Sequence, residues 1–196
     1  MTMTSDSKYL FSSGLGRSTV KKWIVNENSA LDDSWEAEVK GGVYSLVTTD
    51  GWKYLFIGTS RGEIHRIDCG DCTDCPMMQK KHKAPVYSMA VSSDDHALYS
   101  GDGDGRVLVW EINEKRFNLT KDLGQVHSGT IWVMCCSADG FLFSCDEMAN
   151  LQQWKLSKKM VEKDGAPKKP AKVIQVIEKI IEQTNEDDLY LQFYFC

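Results

Sequence analysis

A repeat period of about 44 residues constrains this chain more than any other feature of its sequence. Trp23, Ile67, Trp110 and Trp154 lie 44, 43 and 44 residues apart. A second set, Val43, Val86 and Ile131, keeps step at 43 and 45. Two independent anchors sharing one period imply a structural unit that recurs along the chain and stacks on its own copies, because a unit this small cannot bury its apolar faces alone.

The unit is clearest between His82 and Ile112. Val86, Ser88 and Ala90 alternate with Tyr87, Met89 and Val91, the period of two that suits a strand covered on both faces. Ser92-Ser93-Asp94-Asp95 supplies turn residues whose short side chains bond their own backbone, and Ala97 to Ser100 resumes the extended pattern. Gly101-Asp102-Gly103-Asp104-Gly105 makes a second, tighter turn, after which Arg106 to Trp110 runs back as a third strand. A strand-turn-strand-turn-strand body repeating near 44 residues predicts four-stranded propeller blades.

At these residues the chain resembles the WD-repeat family. In that family a His before the innermost strand, a Ser or Thr on the second strand, an Asp in the following turn and a Trp on the third form a hydrogen-bonded set. Carried onto this chain, the set is His82, Ser100, Asp104 and Trp110. The next copy has His127, Ser144 and Trp154, with Met148 where the Asp is expected. The preceding copy has Val39, Ile57, Arg61 and Ile67 in the four places, so no polar set is expected there. The resemblance implies an all-β, WD-repeat-like propeller of about four blades, or an incomplete arc of a larger one.

In chain order, residues 1–40 read as a partial N-terminal blade, with strands at Tyr9–Ser13 and Thr19–Trp23 and an outer strand around Trp35. Residues 41–81 are a degenerate copy, 82–126 the best copy with an outer strand at Phe117–Lys121, and 127–178 a copy interrupted by a basic loop at 155–172. Residues 179–196 form a divergent segment whose Leu189–Phe195 stretch reads as a strand able to close a ring. The stretch 173–183 fits either one face of a helix or a strand.

Composition bears mainly on partners. A formal charge of −5 argues against nucleic acid, whose phosphates need a concentrated basic surface. Neither an eighteen-residue apolar run nor a basic-then-apolar leader appears, so neither a membrane span nor a secretion signal is expected. The seven cysteines then read as reduced thiols of a cytoplasmic protein, with the nucleus as the alternative. Cys69, Cys72 and Cys75 in a C-x2-C-x2-C run are weak metal candidates, because the spacing crowds them into one loop and no second pair follows. No cofactor is expected. Cys135 and Cys136, inside an apolar strand, read as inert core thiols.

No nucleophile elbow, zinc-protease helix, phosphate loop or dinucleotide fingerprint is present, and the chain reads as a non-enzyme. The resemblance implies a scaffold or adaptor that binds proteins or peptides, with self-association if the propeller is incomplete. It places the loops before the innermost strands and the turns after the second strands on one face, which here would carry Arg17, Arg61, Lys83, Asp102, Asp146 and Glu147. Tyr44, Tyr87 and Trp132 recur at the second place of the inner strand, as packing or as rim anchors. The alternatives are a targeting segment of a larger signalling or ubiquitin-pathway protein and a zinc or redox module on the three cysteines.

Overall fold

The computed structural model describes residues 1–26, 31–51, 53–69, 77–114, 117–156 and 177–180. The described residues form four antiparallel four-stranded sheets, each a meander in chain order, and contain no helix. The first sheet is β1 (Thr2–Met3), β2 (Tyr9–Ser12), β3 (Thr19–Val25) and β4 (Leu31–Glu38). The second is β5 (Val43–Thr48), β6 (Tyr54–Thr59), β7 (Glu63–Asp68) and β8 (Met77–Lys80). The third is β9 (Val86–Val91), β10 (Ala97–Asp102), β11 (Arg106–Ile112) and β12 (Phe117–Gln125). The fourth is β13 (Ile131–Cys136), β14 (Phe141–Asp146), β15 (Leu151–Leu156) and β16 (Ile177–Ile180).

Burial explains why these segments are strands. Every residue of β6 and of β10 is buried, as expected of strands sandwiched between sheets, whereas the outer strand β12 mixes buried and exposed positions. β12 runs four residues beyond the expected Lys121, its register against β11 slipping at two bulges. Within the ambiguous stretch 173–183, Ile177–Ile180 is a strand paired to β15. Residues 157–172 of the basic loop, Leu189–Phe195, Cys72 and Cys75 lie outside the described residues.

The inner strands lie side by side, β1 on β5, β5 on β9 and β9 on β13. Each junction between consecutive sheets holds its own core. Phe11 and Val20 meet Val43, Leu55 and Ile57 at the first. Phe56 and Ile64 meet Val86, Leu98 and Trp110 at the second, where the Phe117 ring sits 5.2 Å from Phe56 and 5.0 Å from Trp110. Tyr99, Val107 and Val109 meet Ile131, Leu142 and Trp154 at the third. Each fully buried aliphatic or Phe side chain contributes roughly 1.5–3 kcal/mol, so the three junctions dominate stability.

The turns after the second strands bind consecutive sheets through their backbones. Gly62 (φ 72°) and Gly105 (φ 74°) take the left-handed conformation and press against the carbonyls of His82 and His127 in the loops that open the next sheets. A Cβ at either glycine would collide with that carbonyl. In the fourth sheet Ala149 (φ 61°) occupies the same place, five residues before its Trp. Ala149→Gly is therefore expected to raise stability by about 1 kcal/mol by relieving left-handed strain. Gly105→Ala should lower it by at least about 1–2 kcal/mol before the collision with His127 is counted. Thermal melts decide the pair; a loss in the first or a gain in the second contradicts this reading of the turns.

Candidate functional site

The face that carries the turns after the second strands is organised from beneath by a buried relay. In the third sheet the Trp110 indole donates to Ser100 Oγ at 2.8 Å, Ser100 Oγ lies 2.6 Å from His82 Nε2, and His82 Nδ1 lies 2.7 Å from Asp102 Oδ2. Donors and acceptors match in sequence if the imidazole proton sits on Nδ1, facing the carboxylate, and Nε2 accepts from the serine. Asp102 Oδ1 meanwhile accepts the backbone amides of Asp104 and Arg106, both at 3.0 Å. One buried carboxylate thus orients the imidazole and closes the turn.

This corrects the expectation that Asp104 is the acidic member. Asp104 is exposed, whereas Asp102 is buried and holds the imidazole. The same shift applies to the fourth sheet, where Asp146, and not a residue at the Met148 place, faces His127 at 3.3 Å. Ser144 Oγ lies 2.7 Å from His127 Nε2, and the Trp154 indole reaches Ser144 Oγ at 3.5 Å. This set has all four members, but two of its links are looser than in the third sheet. Asp146 Oδ2 also accepts Asn150 Nδ2 at 3.0 Å, so it divides between two donors.

In the second sheet Thr59, not Arg61, occupies the acid's place, and its hydroxyl accepts the amides of Arg61 and Glu63 at 3.4 and 3.3 Å. The other three places hold Val39, Ile57 and Ile67, all buried in the first junction. The first sheet carries the indole bond from Trp23 to Ser12 Oγ at 2.7 Å.

Asp102 and Asp146 are consequently not surface contacts, as the sequence suggested, but buried members of the relay. Arg17, Arg61, Lys83 and Glu147 are exposed on the turns and loops. Their arrangement follows from which turn touches which loop. The Arg17 turn abuts Gly42, the Arg61 side chain lies over Gly41, and the adjoining Gly62 abuts the loop that carries Lys83. Glu147 lies over Gly129, in the loop that the Gly105 turn, next to Asp104, also touches. Cations therefore cluster over the first two junctions and acids over the third.

Successive inner strands of the second, third and fourth sheets also bring together a ladder of aromatic rings. The Tyr44 and Tyr87 ring centroids are 4.8 Å apart, and those of Tyr87 and Trp132 are 4.9 Å apart, all tilted. Tyr87 sits against Gly103 in its own sheet's turn, which places the ladder on the turn face. Trp132 is 54% exposed, and Met148 and Leu15, in turns on the same face, are 71% and 79% exposed. This face therefore leaves three large apolar side chains in solvent.

Several thiols and one imidazole are less accessible. Burial, then the neighbouring Cys135 and Asp94, pushes the Cys136 thiol up to about 12, and burial also raises that of Cys145, so neither suits thiolate chemistry near neutral pH. Cys69 is buried, and among the described residues no cluster of His, Cys, Asp and Glu could hold a metal. His65 is buried on β7 with its Nε2 3.5 Å from Glu63 Oε2 and neither ring nitrogen hydrogen-bonded. Burial depresses its pKa, outweighing the opposing pull of Glu63. Burial raises that of Asp146, but the side-chain and backbone bonds from Asn150 and the Met148 amide bring it below the usual carboxylate value.

Sequence comparison matches residues 73–111 to the family model described as "WD domain, G-beta repeat". Two curated relatives, both "WD repeat and FYVE domain-containing protein 2", are 27% identical in Caenorhabditis elegans and 26% identical in Caenorhabditis briggsae, each over 162 residues. Those alignments cover 80% of this chain and 36% of each relative, so the chain spans about a third of their length. The fold matches the solved structures "Crystal structure of RRP9 WD40 repeats" and "Structure of U3-55K", each with a TM-score of 0.69, at 18% and 19% identity. Each match covers 79% of this chain and 47% of the solved one.

Two outcomes test the electrostatics. Asp102→Ala should cost roughly 1–3 kcal/mol by stripping a buried imidazole of its partner, and Asp104→Ala should stay within about 0.5 kcal/mol; the reverse order in denaturant unfolding would refute the relay. Because the folded chain holds His65 neutral, it takes up that proton at lower pH than the unfolded chain. Stability should be full above the ordinary imidazole value of 6.5 and decline as pH falls below it. His65→Leu, which installs the residue that the third sheet carries at the equivalent Leu108, should flatten the melting temperature between about pH 7 and pH 5. An unchanged slope would contradict it.

Proposed function

Since the chain belongs to the WD-repeat family, partial propeller included, we propose that it is a non-enzymatic protein-interaction module that docks an extended peptide across its aromatic ladder. Propellers of this family are generally non-catalytic and serve as protein-interaction scaffolds. The observation that carries the finer reading is the contact of Tyr44, Tyr87 and Trp132 in one row, ending in a half-exposed indole. Tilted rings give a peptide large rigid contact area at little conformational cost. The segregated charges give it a direction, its acidic end over Arg17, Arg61 and Lys83 and its basic end over Asp104 and Glu147. Peptide, not nucleic acid, is the proposed partner, because the cations of this face, Arg17, Arg61 and Lys83, are balanced by acids at its other end and the net charge is −5.

A second reading, the targeting segment of a larger signalling or ubiquitin-pathway protein, is favoured by the 36% of each curated relative that the chain spans. It places the same docking face in a longer polypeptide.

Peptides selected from a random display library on the wild-type chain, then titrated, test the docking face. Trp132→Ala should weaken them about tenfold or more without moving the melting temperature, while Met78→Ala, on the outer strand β8, should leave affinity intact. Equal affinity for the wild-type and Trp132→Ala chains would overturn the proposal.

A further inference from the structure

The three junctions are built alike, so residue equivalence reveals which faces of the chain are left over. Facing forward, Phe11, Phe56 and Tyr99 occupy one place in the first three sheets, and each is buried beneath the next sheet. Phe143 holds that place in the fourth sheet and is only half-buried, its ring 6.4 Å from that of the half-buried Phe141 and on the same face of the sheet as Val133, which is 42% exposed. Facing backward, Leu55, Leu98 and Leu142 are fully buried, but their equivalent Leu10 is half-buried. Trp110 and Trp154 are buried, but Trp23 is half-buried, and Met3 on the same backward face is 53% exposed. Among the described residues, no substantial packing joins the fourth sheet to the first.

Among the described residues, these two faces are left uncovered, and they are the two halves of the interface that the chain already builds three times. We propose that a second copy of this chain covers both, the forward face of each fourth sheet seating on the backward face of the other copy's first sheet, so that two chains close one ring of eight sheets. The pairing is a continuation of the existing junctions: an aromatic at the Phe143 place meets a Leu and a Trp at the Leu10 and Trp23 places, as Tyr99 meets Leu142 and Trp154. A head-to-tail contact either closes or propagates into filaments, and closure after two copies makes the particle finite. This inference is independent of the peptide-docking reading and concerns different residues.

Light scattering on the full chain across a range of concentrations should give a particle of twice the 22.2 kDa chain mass. Phe143→Asp and Leu10→Asp should each yield monomers. Mixed together, they should regain a dimer, because the Leu10→Asp copy keeps an intact forward face and the Phe143→Asp copy an intact backward one. Val133→Lys and Met3→Lys, at exposed positions of the same two faces, repeat the test if the buried-charge variants do not fold. A monodisperse 22.2 kDa wild-type particle, filaments, or variants that stay monomeric on mixing would each overturn the proposal.

Discussion

A sheet with apolar side chains on both faces must be covered on both sides, and the rest of this structure follows from that requirement. Strands β6 and β10 bury every residue because a neighbouring sheet lies on either side of them. Glycine turns, inner-strand contacts and aromatic clusters are the means by which one copy of the repeat fits against the next. The cost of leaving a face bare scales with its apolar area, so the half-buried Trp23 and Phe143 mark where the requirement is unmet within the described residues.

Within each junction the chain solves the buried-polar problem in one of two ways. The third and fourth sheets sink a serine, a histidine and an aspartate and pair them through to an indole, leaving no acceptor without a donor in the chain of bonds. The second sheet removes the problem, with Val39, Ile57 and Ile67 forming an aliphatic patch and Thr59 retained to close the turn. Both solutions respect the rule that a half-satisfied buried network is worse than an apolar one. His65 is the exception. It is a buried imidazole with neither nitrogen hydrogen-bonded, at a place where the third sheet has Leu108, and it makes the first junction the acid-sensitive one.

Most of the fold was legible because period and strand alternation are long-range and redundant. Trp110, Trp154 and Val86 identify the repeat even where single residues are lost. The relay acid is not singled out by the motif alone, because Gly101 to Gly105 offers two aspartates, Asp102 and Asp104. Spacing from the Trp place carried the missing signal: Thr59, Asp102 and Asp146 each stand eight residues before it, whereas the place six before it holds Arg61, Asp104 and Met148. Only a side chain able to cap its own turn recurs at the first of these. The aromatic ladder was visible as a recurrence, but whether its rings pack or protrude depends on how far each inner strand is overlapped by the next. That is a tertiary quantity, and it leaves Trp132 half in solvent while Tyr44 and Tyr87 are partly covered.

The imidazole of His82 and the carboxylate of Asp102 act as one buried unit on which the turn and the indole bond depend, and a double-mutant cycle measures that directly. Unfolding free energies of the wild-type chain, His82→Ala, Asp102→Ala and the double variant should give a coupling of about 1–3 kcal/mol, with the double variant little worse than either single. Additive losses, with coupling near zero, would mean that the two residues stabilise the sheet separately and that the relay does not organise the fold.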